Sequence, residues 1–390
     1  MNARICVGAW LLTVSAISAA ADDGVYPDRV VFGQSAALDG PARALGQNMR
    51  LGIRAAFEEA NRSGGIAGRR LELISLNDSY EPAEAVINTR ALIENHKVFA
   101  LIGAVGTPPS RAVLPIVNEH QIPYIGPFTG AQFLREAKER FVFNVRASYH
   151  QETEMMVERL IADLNVSRIG VLYQDDSFGR AGLRGVVRAL KKRELELLAS
   201  CPYPRNSTIV KKAVLELRAA KPDAVIIVGS YAPAAEFIKW CRHLGFNPVF
   251  INISFVGSVA LANSLGDWGE GVYVAQVVPF PFATGTPTKV DVVARYNEAL
   301  LALHESARAG FGSLEGYLVG RLAIHIARRC EVELTRGCFL QEMRKPEPID
   351  LDGFVLKFGE DDNQGSDSVF FTRLTADQQY FPVEVLRRQP

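Results

Sequence analysis

The chain is poor in the patterns that mark metal, nucleotide or nucleic-acid chemistry. Six His and five Cys among 390 residues, with no C-x-x-C and no H-E-x-x-H, leave no ligand set with zinc spacing. No Walker A loop, G-x-S-x-G elbow or G-x-G-x-x-G fingerprint occurs, so the commonest phosphate and nucleophile sites of α/β proteins are missing. Charge of one sign is equally scarce. With 43 basic and 43 acidic residues there is no basic field to hold a polyphosphate, and nucleic acid is excluded as an expected partner. What remains is 48% hydrophobic and 22% charged, the composition of a packed protein and not of a disordered one. Its length fits two domains of ordinary size, each able to bury a core.

The N-terminus has its own composition. Arg4 precedes an apolar run over residues 5–17, and Ala19, Ala20 and Ala21 supply the small side chains a signal peptidase requires before Asp22. The run is shorter than the about 20 apolar residues that span a bilayer, and its small-residue end suits cleavage rather than anchoring. Cys6 lies inside the apolar run and not at its end, so a lipid-anchored cysteine is not supported. No later segment is apolar enough for a membrane helix. The mature protein is therefore expected to be soluble outside the cytoplasm, retaining Cys201, Cys241, Cys330 and Cys338. In an oxidising compartment Cys330 and Cys338 can close a small loop between helices, whereas Cys241 occupies an apolar helical position suited to a buried thiol. Spacing alone leaves the pairing open.

From Val30 onward, short β-branched or apolar runs alternate with segments of helical period, which predicts an α/β fold with helices on both faces of parallel sheets. A first series places strands at 30–36, 71–76, 99–105 and 123–127 and helices at 44–62, 83–94 and 110–120. Leu45, Met49, Ile53, Ala56, Phe57 and Ala60 share one face of the first helix. A second series places strands at 168–173, 224–228, 248–253 and 272–278 and helices at 152–164, 180–192, 209–220 and 234–244. Each series reads as one lobe. The join at 144–148 is short and carries no Gly/Ser linker, so brief extended strands are expected there. Long helical stretches at 290–305 and 314–329 follow, then a strand-rich tail with a hairpin-like centre at 360–366. That order has the chain returning to the first lobe and then to the second.

Candidate chemistry gathers at the strand-to-helix turns. Gly103 and Gly106 flank one of them, but two glycines serve a tight passage into a helix as readily as a nucleotide. Thr107 is an N-cap candidate, with Pro108 suited to the first helical position. The same start can hold a small anion through the Thr hydroxyl and free N–H groups, and residue chemistry weighs the two readings equally. Phe128, Thr129 and Gly130 follow the next strand, so Thr107 and Thr129 can converge on one small molecule. In the second series the comparable turns carry Asp175, Asp176 and Phe178, then Tyr231, then Ser254 and Phe255. Adjacent aspartates rarely aim at one target, so a helix-start role is favoured over a general acid/base pair. Tyr231 and Phe255, at strand ends, are better pocket candidates than Phe57 on an amphipathic face. An exported hydrolase using Asp175 or His150 would need a nucleophile or metal that the sequence does not display.

The segments at 31–46 (VFGQSAALDGPARALG), 59–69 (EANRSGGIAGR), 99–106 (FALIGAVG), 122–135 (IPYIGPFTGAQFLR), 170–179 (GVLYQDDSFG) and 311–320 (FGSLEGYLVG) together resemble the type I periplasmic binding proteins of the branched-chain amino acid group. The resemblance runs from about Val30 to the tail, and the order and spacing of the segments carry it. It implies two Rossmann-like lobes joined by three crossing hinge strands, with lobe 1 at 28–146 plus 282–346 and lobe 2 at 147–281 plus 347–390. It further implies a periplasmic receptor without catalytic activity or cofactor, which clasps a small amino acid or carboxylate between the lobes and delivers it to the permease of an ABC importer. Lobes of this kind also serve as ligand-sensing modules that report to a membrane partner or repressor. By position, Thr107 falls where the family binds the ligand carboxylate, Phe128, Thr129 and Gly130 on the turn that adds carboxylate and ammonium contacts, Phe178 at a cleft aromatic and Tyr231 after the strand that brings another. One departure matters. Where amino-acid binders present an acidic residue to the ligand ammonium, this chain has Ser254, and a hydroxyl cannot compensate a buried cation as a carboxylate does. The expected ligand is thus a small carboxylate with an apolar body, bound with little preference for a free α-ammonium.

Export is expected to remove the first 21 residues. N-terminal sequencing of the secreted protein should begin at Asp22, and an intact Met1 on a membrane-bound product would overturn the reading.

Overall fold

The computed structural model describes residues 23–282 and 291–388, and the export segment lies outside them. In the first lobe, β1 (Arg29–Ala36), β2 (Arg70–Asn77), β3 (Ala100–Ile102), β4 (Tyr124–Ile125) and β5 (Val142–Phe143) form a parallel sheet in the order β2-β1-β3-β4-β5. Its strand β1 is buried on both faces. Val30 and Phe32 of β1 join the core beneath α1 (Arg43–Arg62), while Val31 joins the core beneath α2 (Pro82–Arg90) and α3 (Thr107–Glu119). That alternation is the period-2 signature of a strand covered from both sides. The six α1 residues expected to share a face are all buried.

The second lobe repeats the plan. Its helices are α4 (Tyr149–Leu164) and α5 (Ser177–Lys191) on one face, with α6 (Lys211–Ala220), α7 (Tyr231–His243) and α8 (Ser258–Leu265) on the other. The parallel strands are β6 (Ile169–Gln174), β7 (Ala199–Tyr203), β8 (Ala224–Val228), β9 (Val249–Asn252) and β10 (Tyr273–Gln276). The chain then supplies α9 (Asp291–Leu303), α10 (Phe311–Arg329) and α11 (Arg336–Met343), followed by β11 (Ile349–Leu351), β12 (Phe354–Leu356), β13 (Phe370–Leu374) and β14 (Tyr380–Val383). The last two strands close the second sheet antiparallel at one edge, in the order β14-β13-β10-β9-β8-β6-β7. At the opposite edge lies β7, where the sequence pattern places no strand; it contains Pro202, and an edge strand tolerates a missing donor.

The returning helices pack on the first lobe. α10 crosses α1 with backbones in contact, since a Cβ on Gly52 would fall 1.9 Å from the Ser313 carbonyl oxygen and one on Gly316 would fall 2.2 Å from that of Met49. This approach brings the N-terminal turns of α10 to the space between the lobes. Segments 144–148 and 357–369 are two of the crossings, and they pair with each other: Asn144 N–H donates to Asn363 O at 2.8 Å and Gly365 N–H to Asn144 O at 2.7 Å.

The tail differs from expectation. Residues 360–366 are no hairpin but the third crossing, and the hairpins flank them as β11–β12 and β13–β14. β11 and β12 also sit on the first lobe rather than in the second sheet. Asp352, in their turn, accepts from Arg295 Nη1 at 2.7 Å and Arg321 Nη2 at 2.9 Å, and its carbonyl caps the start of α9 through Val292 N–H at 3.0 Å. The chain therefore passes to the second lobe near Asn363 and not at 347.

Cys330 and Cys338 form a disulfide, and Cys201 and Cys241 are free and buried. The native mature protein is expected to show no thiol reactive to maleimide, with two appearing on unfolding without reductant. A thiol that labels in the folded state would contradict this assignment.

Candidate functional site at the lobe interface

The site is built where the strand ends of both sheets face each other. Thr107 opens α3, but Gly106 and not Thr107 stands at the N-cap, and no side chain caps this helix. Its hydroxyl is turned to the neighbouring turn instead, 2.6 Å from the hydroxyl of Thr129. The two expected threonines thus meet, both fully buried. Gly130 serves their turn by its lack of a side chain, because a Cβ there would lie 2.5 Å from the ring of Tyr149 and 2.6 Å from its amide nitrogen. Tyr149 N–H donates to Gly130 O at 2.7 Å, tying the turn to the start of α4. Arg135 ties it from the other side: Nη2 reaches Thr129 O at 3.3 Å and Arg146 O at 3.0 Å, and Nε reaches Gln364 at 2.5 Å. The turn is held between two crossing strands.

The aromatics close on one another. Phe255 packs against Phe178 at 4.5 Å between ring centroids, Phe128 at 5.5 Å and Tyr80 at 6.0 Å, and Phe178 against Tyr149 at 5.5 Å. Phe128, Phe178 and Phe255 are all buried, packed against one another between the lobes. Aromatic surface attracts aromatic surface when no other apolar body separates the rings. Tyr231 stands at the margin, half-buried, with its hydroxyl toward Ala44 and Arg43 of α1 across the cleft mouth.

Three residues that sequence reasoning did not select, Arg146, Glu152 and Glu315, dominate the electrostatics around Ser254. Arg146, on the first crossing, lies over the Phe128 ring at 4.5 Å and is 1% exposed. Its Nε is 3.0 Å from Glu315 of α10, and its Nη2 donates to the Ser254 hydroxyl at 2.9 Å. Ser254 in turn donates to Glu152 Oε1 from its hydroxyl and to Oε2 from its amide, both at 2.9 Å. Burial opposes the Arg146 charge, but Glu315 and Glu152 prevail and hold its pKa up. Burial raises Glu152, with Arg146 and Ser254 offsetting part of the rise. For Glu315 burial is again the main cause, eased by Arg146 and reinforced by Glu152, and its pKa is pushed up to about 7. The hydroxyls of Tyr80 and Tyr149 and Nη1 of Arg146 are buried without a hydrogen-bond partner among the described residues. Every one is a donor toward an ionised ligand, the polarity a carboxylate requires. The only sequence trace of Arg146 and Glu315 is that each is a lone charge inside an apolar stretch, at 141–147 and 311–319.

Asp175 and Asp176 divide as expected of a helix start. Asp176 caps α5, accepting from the amides of Phe178 at 2.8 Å and Gly179 at 3.2 Å, whereas Asp175 pairs with Arg180 at 2.6 Å on the surface. His150 lies 3.1 Å from Arg188 on the outer side of the hinge.

Comparison with known proteins agrees with this geometry. The profile described as periplasmic binding protein matches residues 29–379. A crystal structure of a possible leucine/isoleucine/valine-binding protein from Rhodopirellula baltica superposes with a TM-score of 0.87 at 35% identity, covering 92% of this chain and 98% of that one. A substrate-binding periplasmic protein from Ralstonia solanacearum gives a TM-score of 0.84 at 28% identity over 90% and 99% of the two chains. Leu/Ile/Val-binding protein homolog 7 of Brucella abortus is 24% identical over 300 residues, 74% of each chain. The chain belongs to the periplasmic binding protein family, a family of binding proteins and not of enzymes, and its two parallel-sheet lobes have the type I arrangement.

The buried network makes stability depend on pH. Glu315 holds its proton in the folded state up to about 7, well above its model-compound value of 4.5, so folding loses stability as pH rises through that window. Glu315→Gln removes this term while keeping the shape. Denaturation at pH 5 and pH 7.5 is expected to show the variant gaining on the wild type at the higher pH. An equal difference at both values would mean that Glu315 is already ionised at pH 5.

Proposed function

We propose that the protein is an extracytoplasmic solute receptor that clasps a small carboxylate lacking an α-ammonium group and hands it to an ABC importer. The lobes bear the contacts that hinge closure requires. Across the cleft rim, Arg205 and Asn206 of the second lobe grip Glu81 of the first at 2.5 and 2.7 Å. Deeper in, Phe255 meets Phe128 and Tyr80. A ligand that touches both lobes selects this arrangement.

The observation that carries the ligand class is the relay from Arg146 through Ser254 to Glu152. Ser254 stands where amino-acid binders of this group place the acid that meets the ligand ammonium. Here its hydroxyl and amide are both engaged, and the cation beside it is the protein's own guanidinium. A second cation would enter beside Arg146, whose like charge opposes it in a buried site. The hydroxyl pair of Thr107 and Thr129 and the unpaired donors of Tyr80, Tyr149 and Arg146 favour the carboxylate. The relatives' names point to branched-chain amino acids; the charge arrangement of this chain favours a carboxylate without the ammonium group.

The test is a thermal-shift screen of ligand-stripped protein with pairs that differ only by the α-amino group, alanine against propionate and leucine against 4-methylpentanoate. A carboxylic acid is expected to stabilise more than its amino-acid partner, and the reverse order would overturn the reading. Thr107→Val is expected to weaken the binding found by about 1.5–3 kcal/mol, the worth of a hydrogen bond to a charged group. Unchanged affinity in calorimetry would remove Thr107 from the site.

A further inference from the structure

We infer that Phe255 sets the size of the ligand, so that the site admits short-chain carboxylates and excludes those with a branched or aromatic body. This rests on the carboxylate reading above and adds to it a residue that limits chain length. The position of the ring is the first observation. Phe255 lies between Phe128, the residue before Thr129, and Tyr80, whose ring covers Gly106, the residue before Thr107. It therefore abuts both turns that present the hydroxyl pair, on the side toward the second lobe where a ligand's chain would extend.

The ring is also held there. The preceding residue, Ser254, is locked by two bonds to Glu152, Ile253 N–H donates to Ile227 O at 3.1 Å, and Val256 N–H to Ile253 O at 3.0 Å. Gly257 then reverses the chain at φ 80°, a conformation costly for other residues. Phe255 is 1% exposed, and leaving its place would break its contacts with rings on both lobes. The rings around it leave little space: Phe178, Phe128 and Tyr80 stand 4.5, 5.5 and 6.0 Å from Phe255 between centroids, in direct contact, with no room for a leucine side chain between them.

Calorimetric titration of ligand-stripped wild type, Phe255→Ala and Phe255→Leu decides this, with acetate, propionate, 4-methylpentanoate and phenylacetate as probes and alanine and leucine as an amino-acid arm. Circular dichroism and melting confirm the fold of each variant, and Phe255→Leu keeps an apolar filler should the alanine variant fail to fold. Wild type is expected to bind the short acids and reject the long ones, and the shortened variants to gain about tenfold or more for the long acids, the scale of a methylene or more in an apolar pocket. Tight binding of 4-methylpentanoate or phenylacetate by wild type, unimproved in the variants, would overturn the inference while leaving the carboxylate reading intact. Binding of alanine but not leucine by wild type, with leucine rescued in the variants, would overturn the carboxylate reading and keep Phe255 as the size limit. No response to any probe by any of the proteins would overturn both.

Discussion

One buried guanidinium organises the interface between the lobes. Arg146 leaves the first sheet at the end of β5, pairs with Glu315 on the helix that returns to that lobe, and reaches Ser254 and through it Glu152 on the second lobe. Removing a charge from water costs several kcal/mol unless its partners are well placed, so Arg146 is stable there only while both lobes supply their part. The ion pair is a constraint on geometry more than a source of stability. Its partners come from α10, α4 and the turn after β9, and displacing any one of them strands a charge in the core.

The rest of the architecture meets this constraint from a distance. The close approach of α10 to α1, permitted by Gly52 and Gly316, fixes how far Glu315 projects toward the cleft. Ser148 and Gln151 form a capping box at the start of α4, which sets the helix register that points Glu152 at Ser254. Arg135 and Gln364 bind two crossing strands together beside the threonine turn, so hinge and site share one set of hydrogen bonds.

Much of the fold was legible because its signals are local. The apolar face of α1, the alternation of strand and helix in both lobes and the strand β8 follow from spacing and β-branched content that tertiary context does not reverse. The tail was misread where local chemistry is ambiguous: the polar run at 360–366 has the composition of a hairpin turn, yet its backbone pairs with residue 144, and no local pattern reveals a partner so distant. Within the site, hydroxyl and aromatic residues at strand ends could be selected because the fold class sends those ends to one place. Arg146, Glu152 and Glu315 could not, since an ionic residue reads as surface in sequence and becomes a core residue only when another buried charge faces it.

The same asymmetry underlies the ligand class we propose. In a receptor whose cleft supplies an unpaired carboxylate, the ligand must bring the cation. Here a cation is built in on Arg146, bonded to Ser254 and paired with Glu315, and Phe255 packs against Phe128 and Phe178 beside it. The lobes already bond to each other at Glu81 with Arg205 and Asn206, at Arg146 with Ser254, and through Phe255. A ligand shifts a two-state equilibrium only by the difference between its affinities for the two states. When protein groups supply most of the closing contacts, that difference can be small and still suffice, so that under the proposed function a short carboxylate with few atoms would be an adequate trigger for closure.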